Sequence, residues 1–222
     1  MQKFATAAPI TAVLDISAGR IHVIAADKVD TTVEVKPADA SKNPDVKAAE
    51  QTTVVYVDGV LRIETPVKNE YFGASGSLDV TVQLPAGSRI EAKSGAAEFR
   101  TVGRLGDVTF DGAHGTAQLD ETASLRLTVH AGDVSVGRLA GDSEISVAAG
   151  DIHIAEALHG TLTLRTESGK ISVGAAHGAS ATLDAGTSYG RIHNALNNIE
   201  GAAAALNIHA TTSYGDITAR SL

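Results

Sequence analysis

Alternation of apolar and polar residues with a period of two dominates the chain. It is clear in the stretches "TTVEVKP", "TTVVYVDGVLRIETP", "SLDVTVQLP" and "GTLTLRT". Such alternation is typical of strands with one buried and one exposed face, whereas a helix repeats its apolar residues every three to four positions. The pattern therefore predicts an all-β protein.

The length of the alternating stretches changes near residue 89. Before it, longer alternating stretches are separated by two irregular segments. Residues 37–51 contain two prolines and mixed charge, which predicts a loop with at most one helical turn. Residues 67–77 predict a second loop, which carries Tyr71 and Phe72. After it, short alternating stretches are punctuated by glycine. We therefore predict an N-terminal β portion, residues 1–88, continuous with a repeat region, residues 89–222.

The repeat region contains five clear copies of one phrase, aligned on a glycine. The copies are "HAGDVSV", "AAGDIHI", "ESGKISV", "SYGRIHN" and "SYGDITA", and their glycines are 18, 19, 21 and 25 residues apart. The second residue after each glycine is Val or Ile, and the third is Ser, His or Thr. Each copy therefore predicts two short strands joined by a bend, at which glycine tolerates a positive φ.

A period near twenty residues fits one coil of a β-solenoid. In such a fold the equivalent strands of successive coils lie parallel and about 4.8 Å apart. We predict a single-stranded β-solenoid, similar to a β-helix, with about five to seven coils and a β-rich N-terminal portion that caps it.

Composition narrows the classes of partner. The net charge is −8 and the charges are scattered, which argues against nucleic acid or an anionic membrane surface. Because the sequence has no Cys, disulfides, Cys-ligated zinc and thiol catalysis are excluded. No apolar run approaches about 18 residues, and Pro9 and Asp15 interrupt the N-terminal stretch, which makes a poor signal peptide. We expect a cytoplasmic protein without membrane insertion.

The histidines are the first candidates for chemistry. His22, His153 and His193 occupy the same place after a glycine, a charged residue and Ile. In the predicted solenoid His153 and His193 lie two coils apart, so that about 9 to 10 Å separates their backbones. Two rings at that distance do not bind one zinc ion at about 2 Å each. We expect no metal site and no cofactor.

The residues that directly follow the repeat glycines form a second candidate column. They are Asp133, Asp151, Lys170, Arg191 and Asp216. Opposite charges that become neighbours in such a column contribute about 0.2 to 1 kcal/mol per pair. Glycoside hydrolysis requires two carboxyl groups about 5 to 9 Å apart across a cleft, which a convex ladder does not offer. We expect no catalytic activity.

Tyr189 and Tyr214 are the strongest candidates for binding. They occupy the same position of the phrase "TSYG" in a chain with few aromatic residues, and other copies make the same bend with Ala or Ser. Two alternatives remain open. The rings either lie outside, next to Arg191, as a binding patch for a sugar face or a partner side chain, or they pack at one end of the core.

The Gly-Asp bends after short strands, preceded by "DVTVQLPAGSRIEAKSG", resemble the DUF4097 family of bacterial β-strand-repeat proteins, often labelled "putative adhesins". The resemblance extends from "ISAGRIHVIAAD" to the last coil. It implies a β-solenoid-like domain, linked to the bacterial surface or to envelope stress, with no established catalytic activity. Association with the surface is therefore what the resemblance implies about location.

Three functions follow from these observations. We favour a non-catalytic scaffold or binding module, adhesin-like, that recognises a protein or a cell-envelope component. The first alternative is a self-assembling structural element that stacks end to end, and the second is a carbohydrate-active enzyme on a β-helix. The sequence leaves a monomer and a homo-oligomer equally open.

Overall fold

The computed structural model describes residues 1–66 and 76–222 of the chain, which consist mainly of β-strands. One α-helix and one short 3₁₀ helix are the helical elements of these described ranges. The chain divides into two compact units, Met1–Gly115 and Thr116–Leu222. The prediction of an all-β protein is confirmed.

The first unit contains eight strands and the α-helix among its described residues. Their bounds are β1 Gln2–Ala5, β2 Thr11–Ala26, β3 Asp30–Pro37, α1 Asn43–Gln51, β4 Thr53–Val57, β5 Val60–Glu64, β6 Leu78–Pro85, β7 Arg89–Val102 and β8 Arg104–His114.

The long strand β2 organises the first unit. It pairs in parallel with β7 from Thr11 opposite Arg89 to Ile24 opposite Val102. On its other edge, its first half pairs in parallel with β5 and its second half with β6. Strand β8 continues the parallel stack on β7, while β1, β3 and β4 add antiparallel pairs at the flanks.

The alternation predicted from the sequence places one face of these strands in the core. Leu14, Ile16 and Ile21 of β2 are fully buried, and the rings of Phe99 and Phe110 stack with their centroids 4.6 Å apart. The other face of the sheet remains polar and exposed, as expected for alternating strands.

The segment predicted as a loop with at most one helical turn instead contains the nine-residue helix α1. Pro44 lies in its first turn, where a missing N–H costs nothing, and the buried Asp45 accepts hydrogen bonds from the N–H groups of Asp39 and Ser77 at 3.1 and 2.9 Å. Burial of Asp45 and Ala48 therefore stabilises a helix that the local composition does not predict. Most of the second predicted loop, with Tyr71 and Phe72, lies outside the described residues.

The second unit contains ten strands among its described residues. Their bounds are β9 Ala117–Ala131, β10 Val134–Leu139, β11 Ser143–Ala149, β12 Ile152–Ala157, β13 Gly160–Ser168, β14 Ile171–Ala175, β15 Ala181–Tyr189, β16 Ile192–Ala195, β17 Leu206–Tyr214 and β18 Ile217–Ser221. The 3₁₀ helix, Gly201–Ala203, lies between β16 and β17.

These strands form two parallel ladders, one on each side of the glycine bends. On one side, β11 pairs with β9 and β13, β13 also pairs with β17, and β17 with β15. On the other side, β12 pairs with β10 and β14, β14 also pairs with β18, and β18 with β16. Successive coils therefore stack in parallel and in register, and the predicted β-solenoid is confirmed.

The order of the coils differs from their order in the sequence. The coil of β17 and β18 lies between the coil of β13 and β14 and the coil of β15 and β16. The expectation that His153 and His193 lie two coils apart is therefore wrong. Their column runs His153, Ser172, Thr218, His193, so three strand spacings, about 14 Å, separate their backbones.

At four of the five bends, those of Gly150, Gly169, Gly190 and Gly215, the glycine lies against the carbonyl group of a neighbouring coil's glycine. Gly169 has a φ of +157°, and a Cβ on it would overlap the carbonyl oxygen of Gly150. Glycine is therefore required there for two reasons, the left-handed backbone and the close approach of two coils.

Polar side chains connect the bends along the stack. Thr166, Thr212 and Thr187 each donate a hydroxyl hydrogen bond of 3.0 Å to the glycine carbonyl of the adjacent coil. The aspartates after the glycines accept backbone N–H groups instead: Asp133 from Asp151 at 2.9 Å, and Asp151 from Lys170 at 2.7 Å. The contact between Asp133 and Asp151, which the charges alone predict to be unfavourable, therefore includes a backbone hydrogen bond to a carboxylate.

Candidate binding surface at the end coil

The coil formed by β15 and β16, here called the end coil, has one unpaired edge. Within the described ranges, β15 pairs with β17 alone and β16 with β18 alone. An unpaired edge presents a row of backbone N–H and C=O groups that another strand can bind. The end coil is therefore the place in the second unit where the ladders remain open.

The apolar column of the solenoid reaches the solvent at this coil. Its inner members, Val134, Ile152, Ile171 and Ile217, are each about 1% exposed. Ile192 continues the same column in β16 and is 46% exposed, because no further described coil covers it. Ile199, in the connection to β17, is 87% exposed. The end coil thus displays side chains of the type that the rest of the stack buries.

Tyr189 and Tyr214 lie side by side on the outside of the bend. Strand register places them opposite each other on β15 and β17. Their rings stack with centroids 5.0 Å apart and planes 3° apart, and the residues are 68% and 59% exposed. The two tyrosines therefore form an aromatic surface outside the core, and the alternative of packing inside it does not describe them.

Arg191 follows the same bend and is held at its backbone. Its N–H donates to Asp216 Oδ1 at 2.8 Å, and its Nη2 lies 3.3 Å from Asp216 Oδ2. These hydrogen bonds hold the pKa of Asp216 below its usual range. The Arg191 side chain is nevertheless 90% exposed, so its charge remains available beside the bend.

The connection after β16 is fixed against the end coil by Ser180. The Ser180 hydroxyl oxygen accepts the N–H groups of Ile199 and Glu200 at 3.1 and 3.0 Å. The N–H of Ala181 donates to the carbonyl of Asn197 at 3.0 Å. The exposed Ile199 is therefore held near the start of β15 by an ordered backbone.

Two features are absent from the described residues. No group of three His, Asp or Glu side chains in these ranges is placed to bind a metal ion. No helix in the part of the chain that the structure describes is long and apolar enough to span a bilayer.

The sequence predicts Tyr189, Arg191 and Tyr214 as a set, and the structure places all three at the bends of two adjacent coils. It does not predict the exposure of Ile192. That residue shares its repeat position with buried residues, and only the order of the coils distinguishes it. The single available signal is the longer connection "ALNNIEGAAAAL", which follows β16.

The parallel ladders and the glycine bends define a β-solenoid-like protein. The chain belongs to the family described as Toastrack DUF4097, whose model matches residues 75–220. A comparison with curated proteins gives no match.

Solved structures with a similar fold come from bacteria. The chain is similar to a "putative adhesin" from Bacteroides fragilis, with 12% identity, a TM-score of 0.60, and coverage of 98% of this chain and 95% of that one. It is also similar to a "putative adhesin" from Parabacteroides distasonis, with 15% identity, a TM-score of 0.47, and coverage of 100% and 95%. The first of these likenesses shows that the two chains share a fold.

The hydrogen bonds to Asp216 predict a pH-dependent contribution to stability. The folded pKa of Asp216 is depressed, so its stabilising contribution is complete above the unfolded pKa, about 4, and is lost as the pH falls through the folded value. We expect Asp216→Asn to lower the melting temperature at pH 7 and to have little effect near pH 2. The measurement is thermal unfolding by circular dichroism across this range.

Glu167→Gln is the matched control for that variant. It removes the same charge from an exposed side chain on β13 in the same unit, where no hydrogen bond or ion pair involves the carboxylate within the described ranges. Its melting temperature should follow the wild type at every pH. Equal pH profiles for both variants would contradict the role of Asp216.

Proposed function

We propose that the protein is a non-catalytic, adhesin-like binding module and that the end coil is its binding surface for a protein or a cell-envelope component. The observation that supports this proposal is the coincidence of an open strand edge and the exposed Ile192 on the end coil with the stacked rings of Tyr189 and of Tyr214 from the neighbouring coil. Clustered apolar exposure of this kind marks interaction sites.

The chemistry of the end coil fits recognition by contact. Each exposed tyrosine ring contributes about 0.5 to 1.5 kcal/mol when another aromatic ring stacks on it. The open edges of β15 and β16 accept an extended segment of a partner through backbone hydrogen bonds, while Arg191 supplies a positive charge at the bend. A partner that uses these groups needs no movement of the coil.

The similarity to proteins described as adhesins supports the same function. An adhesin-like role requires that the protein associate with the cell surface. Protease treatment of intact cells tests this location. Digestion of the protein without lysis supports it, whereas digestion only after lysis places the protein in the cytoplasm and its partner with it.

The double variant Tyr189→Ser, Tyr214→Ser tests the binding surface. Because both rings lie outside the core, we expect its melting temperature to stay within a few degrees of the wild type while binding is lost. The assay is cosedimentation of the purified protein with isolated cell envelopes of the source bacterium, followed by crosslinking to identify the contact. A matched control is the double variant His130→Ser, His153→Ser, which removes two exposed rings from other coils.

The experiment distinguishes a binding role of the two tyrosines from a structural one. Loss of sedimentation in the tyrosine variant, with retention in the histidine variant, supports the proposal. Retained binding by a tyrosine variant whose melting temperature falls by many degrees would return these residues to a structural role and leave the binding surface elsewhere.

End-to-end self-assembly is the second candidate, because the open edge and Ile192 also suit another copy of the same coil. Size-exclusion chromatography with light scattering distinguishes the two. A mass that grows with concentration, and that Ile192→Lys abolishes, supports self-assembly, whereas a constant monomer mass supports recognition of another molecule. Turnover of any polysaccharide in a substrate panel would instead favour the carbohydrate-active enzyme.

A further inference from the structure

A shallow groove of about 330 Å³ lies on the polar face of the first unit. It is formed by three neighbouring parallel strands, β6, β2 and β7. Its polar lining residues are Arg20, His22, Asp79, Thr81, Glu98 and Arg100. These side chains come from alternate positions of each strand and therefore point to one side of the sheet.

The strand register arranges these six residues in two rows across the sheet. The first row is Asp79, Arg20, Glu98, and the second is Thr81, His22, Arg100. Adjacent strands are about 4.8 Å apart, and the two rows are about 7 Å apart along the strands. The rows thus place two cations and two carboxylates within the span of a single sugar ring and its substituents.

One pair of charges in the groove is already satisfied. Arg20 Nε donates to Asp79 Oδ1 at 2.7 Å, and its Nη2 donates to Asp79 Oδ2 at 2.5 Å. This bidentate bond raises the pKa of Arg20 above its ordinary value, with a further contribution from Glu98. The Arg20 and Asp79 pair therefore forms a fixed wall of the groove.

Three other groups of the groove make no hydrogen bond or ion pair within residues 1–66 and 76–222, although Glu98 is close enough to Arg20 to raise its pKa. Glu98 and Arg100 are exposed and make no ion pair there. The Nε2 atom of His22 is buried and makes no hydrogen bond there. An unsatisfied buried polar atom is unfavourable, and its position beside two unpaired charges indicates that a polar ligand completes the groove.

We propose that this groove binds an acidic sugar residue of the uronic acid class. Its carboxylate pairs with the guanidinium of Arg100, and its hydroxyl groups bond to the Glu98 carboxylate, the Thr81 hydroxyl and the His22 ring. Arg20 and Asp79 neutralise each other, which leaves the Arg100 guanidinium to pair with the ligand's carboxylate and the Glu98 carboxylate to accept its hydroxyl groups. A dianionic phosphate would meet Asp79 and Glu98 with stronger repulsion.

Chemical-shift mapping tests the proposal on the full chain. The ¹⁵N–¹H spectrum is recorded while D-glucuronate is added, with D-glucose and inorganic phosphate as separate probes. We expect glucuronate to shift amides within residues 20–24, 79–83 and 98–102, and glucose and phosphate to shift them much less. Titration with trigalacturonate distinguishes the source, because tighter binding of the oligomer indicates an acidic polysaccharide and equal binding indicates a free sugar acid.

Variants localise the binding to named groups. Arg100→Gln should weaken glucuronate binding at least about tenfold, as the loss of a charge-assisted hydrogen bond implies. Thr81→Val should weaken it less. Arg62→Gln, at an exposed arginine of β5 outside the groove, should leave it unchanged. The spectra themselves show whether each variant is folded.

Three results would overturn the site: no shift in the groove, equal shifts with glucose or phosphate, or unchanged affinity in both the Arg100 and Thr81 variants. These results are independent of the end coil, because the tyrosine variants change only the second unit.

Discussion

Replacing Gly169 with Ala is expected to destabilise the second unit by about 2 to 5 kcal/mol, the sum of a strained left-handed backbone and an overpacked contact. The new Cβ would overlap the carbonyl oxygen of Gly150. The backbone of Gly150 cannot move away easily, because hydrogen bonds join the bends of successive coils. The effect should appear as a shift in the midpoint of urea unfolding.

Gly186→Ala provides the control for the glycine bend. Gly186 lies within β15, its φ is not in the left-handed region, and a Cβ on it would meet no atom within 4 Å. Alanine should be tolerated there or should stabilise the strand slightly. If both alanine variants unfolded at the same urea concentration, close approach between stacked glycines would not be what selects this residue.

The second large effect is expected at Ile152. This side chain is about 1% exposed between Val134 and Ile171, so Ile152→Ala should cost about 2 to 4 kcal/mol. The adjacent His153 points to the exposed face, and His153→Ser should change stability by less than about 0.5 kcal/mol. Both values come from chemical denaturation of single variants. Equal losses at the two positions would contradict the assignment of faces.

The buried faces of the strands and the positions of the bends can be predicted from the sequence, because both depend on residues that are close together in the chain. Alternation decides which side of a strand is buried, and the glycine of the repeated phrase marks the bend, where two coils touch at Gly150, Gly169, Gly190 and Gly215. The same phrase also contains a bond that its composition does not suggest, namely the threonine hydroxyl that donates to a neighbouring glycine carbonyl. Val129 and Val147 hold the equivalent place in earlier coils, so the threonine is visible as a signal only once the stacking is known.

The order of the coils cannot be predicted from the local sequence pattern. Strands β15 and β17 carry similar alternation and the same "TSY" ending, so either fits on β13 by its pattern. The choice depends on how well whole coils pack and on the ten residues, 196–205, that connect β16 to β17. These are long-range properties of the folded state, and the exposure of Ile192 depends on them.

The sequence predicts one part of the candidate surface at the end coil and does not predict another. The sequence predicts Tyr189, Tyr214 and Arg191 because geometry alone does not require an aromatic residue at the bend. It does not predict that the connection after β16 is fixed by Ser180, or that Asp216 holds Arg191. The groove on the first unit escapes detection for a similar reason, since its six polar residues lie on three strands that are distant in sequence.

The inserted position of β17 and β18 also sets an order of events during synthesis. A nascent chain emerges from its N-terminal side at about 5 to 20 residues per second, so β15 and β16 leave the ribosome before the strands on which they stack. Until then Tyr189 has no Tyr214 beside it, and β13 has no β17 to pair with. A chain interrupted after β16 therefore lacks the aromatic pair altogether, and the surface at the end coil exists only in a protein whose translation has passed residue 221.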